Sequence, residues 1–455
     1  MSGSQADLLA LGVLGLSMAA VGFLVVQRFP ALGVVGYLAV VMLVPEWLGL
    51  TVGAYLSPLA VVGLGVVAAL GRGSGFRPVA FDVVLGLLLG AVVVCVGAGL
   101  QTMGNLFLVL LGWVVPYTAA RVLGSRTDPG WLRSVLAVVV LVTAVLAVQE
   151  WLLGRNLFVE VFNTGTSRYV QWSELRERGG RLRVEGAFGN SIALGGALAL
   201  VVPYVWSSRL RPALRYVTLL LVLLASVMTI SRIGIASTAL ALVLSLVLLR
   251  GDATPAFRRL VTGTLLVGAV VAVPFVQGVF TEAGDEAQGS AEYRGDLLSL
   301  LPSMTVIGQS RAAYTTSSGV TGFGDFESID SAMILIGLQF GWLVLVVLLV
   351  AALAAVVGVV RRPNPPLVAV VATLPALTSV AFITQFTAFF WFTVGLAVTE
   401  WHRSRPDGEP LTGALPGAAT PALPAPRPPV RTLAASVPAG SPSSTTTPGR
   451  RRARA

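Results

Sequence analysis

Ser191-Ile192-Ala193-Leu194-Gly195-Gly196-Ala197-Leu198-Ala199-Leu200-Val201-Val202-Pro203-Tyr204-Val205-Trp206 carries no charged side chain, and Tyr216–Ile230 follows with the same character. Runs of this kind recur as far as residue 400. A bilayer span needs roughly 20 mainly apolar residues. On that criterion spans are predicted near 8–26, 30–45, 52–70, 79–100, 104–123, 131–150, 186–206, 213–230, 233–249, 260–278, 331–355, 367–384 and 386–400. The expected fold is therefore an all-α polytopic membrane protein of twelve or thirteen transmembrane helices. The first run has no basic stretch ahead of it, so it reads as a retained span and not a cleaved signal peptide.

Composition agrees with that reading. Of 455 residues, 55% are hydrophobic and 11% charged, whereas a soluble domain carries about a quarter charged residues. All 31 basic residues are Arg, a usage that most simply reflects GC-rich bacterial coding. The single Cys95 cannot form an intrachain disulfide, and with the single His402 it cannot make a zinc site of the usual kind. A Ser-His-Asp triad would need His402, which falls on the cytoplasmic side in the topology below. No metal or other cofactor is expected. The net charge of +10 does not point to nucleic acid, because arginines collect in cytoplasmic loops of membrane proteins.

Those arginines set the orientation. Arg72 and Arg77, Arg121 and Arg126, Arg209 and Arg211, Arg250 with Arg258 and Arg259, and Arg361–Arg362 mark alternate connections, which are the cytoplasmic ones. The transmembrane domain, 1–401, then exposes two long external loops, 155–185 and 279–330. The segment 402–455 is rich in Pro, Ala, Ser, Thr and Gly and holds eight Arg against two acids. It is expected to be a disordered cytoplasmic tail. It fixes topology or touches anionic lipid.

Four polar segments interrupt the apolar pattern. The loop 155–185 holds Arg155, Arg168, Arg176, Arg178, Arg181 and Arg183 against Glu160, Glu174, Glu177 and Glu185. Guanidinium forks bind phosphate oxygens bidentately, although the same arginines could simply pair with the loop's own glutamates. Tyr169, Trp172 and Leu175 recur every three residues, which suits a short helix in the lipid headgroup layer. The second segment is Arg183-Val184-Glu185-Gly186-Ala187-Phe188-Gly189-Asn190, leading straight into a span, with Gly186 and Gly189 permitting close backbone approach and Asn190 suited to cap the helix. Thr229-Ile230-Ser231-Arg232-Ile233-Gly234 is the third. An Arg at the edge of hydrocarbon faces a cavity or a partner unless it merely snorkels to the interface. The fourth is the loop 279–330, with Arg294, Arg311, Glu327 and Asp330. A short amphipathic helix is expected over 291–301, and Asp330 sits where an N-cap would.

These four segments in this order resemble the O-antigen ligase and polymerase family of bacterial membrane glycosyltransferases over about residues 180–345. The similarity rests on Arg183-x-x-Gly186-x-Phe188-x-Asn190 opening a span and on Ser231-Arg232-x-Gly234 at a helix turn. A long external loop follows, in which Arg294 opens an Arg-x-x-Leu helix and Ile307-Gly308 matches the usual Gly-x-Gly stretch. The resemblance implies a GT-C-like fold and an undecaprenyl-diphosphate-linked glycan donor. The acceptor would be another glycan or a lipid- or protein-linked group, and the chemistry would sit on the outer face of the cytoplasmic membrane. It also implies that Arg183, Arg232, Arg294 and Arg311, with Arg181 beside them, hold the diphosphate. Ligases of the family place a catalytic His-Asn pair at the end of the large loop. Here the aligned pair is Asp330-Ser331, with Gly341 closing the register, so the resemblance carries over no catalytic His, and a polymerase or a ligase-like enzyme with another acceptor gains weight.

The expected activity is a metal-independent glycan transfer with Asp330 as candidate base, followed by Glu327 and Glu185. The rival reading is a transporter or flippase for a lipid-linked or anionic solute, which predicts charges along a transmembrane path and internal pseudo-symmetry. A structural partner in envelope assembly is the third.

Overall fold

Helix starts follow the capping residues. In the computed structural model, which describes residues 17–403 apart from 19, 53, 72–76, 283–291, 294 and 317–320, Ser57, Thr102, Asp128, Asn156, Thr166, Asn190, Ser231, Ser331 and Asn364 each accept a hydrogen bond from a backbone N–H of the turn they open. Such caps satisfy donors that the first turn leaves without partners. Proline stands in the first turn after several caps, where its missing N–H costs nothing.

The chain is mostly helical. In order it forms α1 (Pro30–Leu43), α2 (Pro58–Leu70), α3 (Ala80–Gly97), α4 (Met103–Arg126) and α5 (Pro129–Leu153). The short α6 (Leu157–Val161) and α7 (Ser167–Trp172) follow, then α8 (Ser191–Trp206), α9 (Pro212–Met228), α10 (Arg232–Leu248) and α11 (Pro255–Glu282). Last come α12 (Ala332–Phe340), α13 (Trp342–Arg361), α14 (Pro365–Thr373) and α15 (Thr384–Arg403). Among the described residues, α3, α4, α5 and α13 are long and apolar enough to cross a bilayer, and shorter apolar helices include α1, α2, α8, α9 and α10.

α8 is the hub. All its residues except Ile192 are buried, the behaviour of a helix that is hydrophobic all round and enclosed by protein. It packs on α5, α9, α10, α14 and α15. At one end Gly195 meets Gly234 of α10 so closely that a Cβ on Gly195 would lie 3.0 Å from the Gly234 Cα. At the other end the Trp206 indole donates to the Leu249 carbonyl at 3.0 Å. α8 and α10 are therefore parallel neighbours joined by an antiparallel α9. α5 runs against α8: its first turns meet the chain after α8, where the Arg209 N–H donates to Ser134 Oγ at 3.0 Å.

Two ends of the bundle result. At the Trp206 end, arginines are paired: Arg121 with Asp82 at 3.0 Å, Arg133 with Glu400 at 2.6 Å, and Arg209 with Asp128 at 2.6 Å. The Arg215 guanidinium donates to the Asp252 carbonyl at 3.0 Å. The Asn190 end carries the polar turns taken up below.

Several expected boundaries move. The run 331–355 is divided by Gly341 at φ 88°, so the long apolar helix is α13 and α12 is separate. Glycine is required there, because a Cβ would stand 2.8 Å from the Ile307 Cα and the Val306 carbonyl oxygen. Strands Leu50–Val52 and Ala54–Leu56 pair antiparallel ahead of α2, and α14 gives way to a 3-10 turn, Leu374–Thr378. The loop 279–330 has its own core of Leu297, Leu300, Met304, Phe323 and Ile329 with Leu338 of α12. Of the amphipathic helix expected over 291–301, the second half falls in a 3-10 helix, Leu297–Ser303, and residues 291 and 294 lie outside the described residues. α15 runs through His402 to Arg403, and the remainder of the expected tail lies outside the described residues.

Candidate functional site

The turn from Arg183 to Asn190 is held from both sides. Arg183 donates from its backbone N–H to the Arg176 carbonyl at 2.9 Å, and Val184 donates to the Met228 carbonyl at 3.2 Å. The Arg183 Nε donates to the Thr229 carbonyl at 3.3 Å, which ties this turn to the Thr229–Gly234 turn at the start of α10. Gly186 and Gly189 take left-handed conformations, φ 55° and 59°. At Gly189 a Cβ would stand 2.7 Å from the Trp172 carbonyl oxygen, so the close backbone approach expected of this glycine is realised. Asn190 caps α8 through Oδ1, accepting from Ile192 and Ala193 at 2.9 and 3.2 Å.

Glu185 lies inside this turn, 1% exposed. Its Oε1 is buried and has no hydrogen-bond partner among the described residues. Burial pushes its carboxyl up to about 7, against the opposing pull of Arg176 and Arg183 and with the repulsion of Glu150 adding to the rise.

The second turn is strained. Ile230, β-branched and buried, sits at φ 47°, a region costly for such a residue. Ser231 follows and caps α10 by accepting from the Gly234 N–H at 3.1 Å. Arg232 is the first residue of α10 and is exposed. A cation in the first turn opposes the positive end of the helix dipole, so the position is unfavourable unless an anion offsets it.

Asp330 and Ser331 reach the same end. The Ala332 N–H donates to the Val380 carbonyl at 3.0 Å, and a few residues on the Gln385 side chain donates to the Ala187 carbonyl at 3.0 Å and the Val44 carbonyl at 2.8 Å. Thr384, another β-branched residue with positive φ, 45°, opens α15 here. Ser331, not Asp330, is the N-cap of α12, accepting from Ile334 at 3.3 Å. The expected capping role of Asp330 therefore falls to its neighbour, and the Asp330 side chain is exposed, as is Glu327.

The structure thus brings Arg183, Glu185, Arg232 and Asp330 to one end of the bundle. Arg311 is set apart from Asp330: the Ser310 N–H beside it donates to the Leu338 carbonyl at 2.7 Å, about 9 Å along α12 from its start at 1.5 Å per residue. Arg181 is exposed on a two-residue hairpin, cross-strand from Arg178. Arg294 lies outside the described residues.

The aromatic spacing in 155–185 has a use within the protein. Tyr169 and Trp172 pack with Phe158 and Ala187 around Trp47, and the Trp47 indole donates to the Phe162 carbonyl at 3.0 Å. That face of α7 packs on protein with both aromatic side chains half-buried, and the helix stops at Trp172, leaving Leu175 outside it. Arg168 lies 3.8 Å over the Tyr55 ring, and its charge partly offsets the burial that lifts Glu46 to about 7. Arg155 and Glu160 form an exposed pair at 2.6 Å.

Glu150, Asn156, Glu46 and Gln385 are the participants that sequence reading did not assign. For the first, the signal was an acid at the end of an apolar run with Asn six residues on. Gln385 gave none. Among the described residues no group of three or more His, Cys, Asp or Glu side chains could hold a metal ion. No family model, curated protein or solved structure matches the chain.

Proposed function

We propose that this end of the bundle is the active site of a membrane glycosyltransferase of the O-antigen ligase and polymerase type. The donor is an undecaprenyl-diphosphate-linked glycan, used on the external side of the cytoplasmic membrane. One observation carries the reading. Arg183 and Arg232 lie on two turns joined by the Arg183 Nε to Thr229 carbonyl bond, where the parallel helices α8 and α10 both begin. Two arginines and two helix N-termini favour an anion at that place. The gathering of charged side chains at the two ends of the bundle supports an enzyme over a solute path through it.

In the reaction, the acceptor hydroxyl gives its proton to a carboxylate while its oxygen bonds the anomeric carbon. The bond from that carbon to the diphosphate breaks, and the electron pair leaves on the diphosphate. Fixed guanidinium groups stabilise that developing charge. Of the three candidate bases, Glu185 is the best suited, standing two residues from Arg183 with its carboxyl pushed up to about 7 by burial. The exposed Asp330 and Glu327 are placed for contacts with the acceptor.

The test is polymer or glycoconjugate formation in cells carrying Arg183→Ala or Arg232→Ala at normal protein level. Loss of product in both is expected. Normal product in both rejects this site.

A further inference from the structure

Glu150 closes α5 against the 183–190 turn, and it is 3% exposed. Three N–H groups converge on its carboxyl. Oε1 accepts from the Glu185 backbone at 3.0 Å and from Asn156 Nδ2 at 3.1 Å, and Oε2 accepts from the Gly186 backbone at 2.9 Å. Asn156 Nδ2 also donates to the Gly186 carbonyl at 3.0 Å, while its Oδ1 accepts from Phe158 and Val159 at 2.9 and 3.3 Å and caps α6. Gly186 is therefore gripped at its N–H and its carbonyl by two side chains from the preceding helix and loop.

The choice of residue is informative. A carboxylate accepts at both oxygens together, whereas the isosteric amide has one accepting oxygen and presents an N–H to the other donor. Glycine in a left-handed turn also loses much backbone freedom on ordering, so a turn built on Gly186 and Gly189 needs outside restraint to hold one conformation. Arg183 and Glu185, the groups assigned above to diphosphate and proton, flank that restraint at two residues or less.

We propose that Glu150 is a positioning residue for diphosphate binding. By fixing the Glu185 and Gly186 N–H groups together with Asn156, it sets the direction in which Arg183 leaves the backbone. The proposal rests on the reading that Arg183 holds the donor diphosphate. A strut needed only for folding would leave ligand affinity untouched in any variant that still folds.

The experiment is equilibrium binding of radiolabelled undecaprenyl diphosphate to the full chain in nanodiscs of zwitterionic phospholipid. Wild type, Glu150→Gln, Arg183→Ala and the double variant are compared, each checked for unchanged size and melting temperature. Glu150→Gln is expected to bind about tenfold more weakly, the scale of lost hydrogen bonds to a charged group. The double variant should bind no more weakly than Arg183→Ala alone, because residues acting through one another are not additive. Wild-type affinity in Glu150→Gln, or additive losses in the double variant, overturns the proposal. Failure of the wild type to bind overturns the diphosphate reading itself and is thereby told apart. If Glu150→Gln does not fold, Asn156→Ser takes its place. It retains a capping oxygen for α6 but drops both Nδ2 contacts, and a loss of about threefold, again non-additive with Arg183→Ala, is expected. Unchanged affinity in that variant overturns the proposal equally.

Discussion

The 183–190 turn and the 327–331 approach to α12 arrive at the same end of the bundle, yet they are built differently. The first is buried, braced by Glu150 and Asn156, and packed under Trp172 and against Trp47. The second is exposed at Glu327 and Asp330 and is anchored through Ala332 to Val380. Both carry carboxyl groups, and at Glu185 burial pushes the proton affinity up to about 7. A carboxyl near the operating pH is well matched to proton transfer. The comparison teaches that position in a motif and suitability for its chemistry are separate properties.

The largest expected effect that would break this contrast is on Arg183. Arg183→Ala should reduce product formation by about a hundredfold or more, the scale for removing a group that stabilises developing charge. A similar loss in Arg232→Ala would show that the two turns act as one site. Glu185→Gln comes next, with a loss of about ten- to a hundredfold in rate. The wild-type rate should rise with pH through about 7 as Glu185 ionises, and this rise should vanish in the variant; a profile that keeps its shape would remove Glu185 from the chemistry. Gly234→Val tests the scaffold that aligns the turns. A Cβ there would stand 2.9 Å from the Gly195 Cα, and overpacking costs about 1–3 kcal/mol, read as a lower melting temperature.

A smaller effect concerns pH and stability. Glu185 keeps a proton in the folded state up to about 7 that an ordinary carboxyl, near 4.5, has already lost. Its contribution to stability is thus full at acid pH and falls as pH rises through about 7. Glu46 acts with the same sign. The melting temperature should decline between about pH 4.5 and 7, and Glu185→Gln and Glu46→Gln should each flatten part of that decline. Asp330→Asn has the smallest expected effect, less than about threefold in rate. A hundredfold loss there would reverse the contrast and return the proton transfer to the large loop.

The polar motifs were legible because arginine and paired glycines are conspicuous in apolar surroundings. The Arg183 and Arg232 segments were legible individually, and so was the Asn190 cap. Their junction was not, since the Arg183 Nε to Thr229 carbonyl bond joins segments separated by a whole helical hairpin. The spacing of Tyr169 and Trp172 reports that a face is apolar and not that Trp47 and Phe158 pack on it. Asp330 was read as a cap because Asp and Ser both cap helices well, and the sequence holds both side by side.

Some of the molecule was decided locally. Hydropathy, caps, helix-opening prolines and the clustering of arginine act on a residue and its near neighbours, so the sequence by itself determined a helical membrane chain with charge gathered between its spans. Tertiary structure alone decided that α8 is enclosed while α13, equally apolar, shows Leu343, Val350, Leu353 and Val360 on its surface. It alone brought Glu150 beneath Gly186. Burial of an apolar run satisfies the hydrophobic requirement equally well in lipid or in protein. Which of the two a helix meets depends on close packing such as Gly195 against Gly234, and that packing exists only once distant segments are assembled.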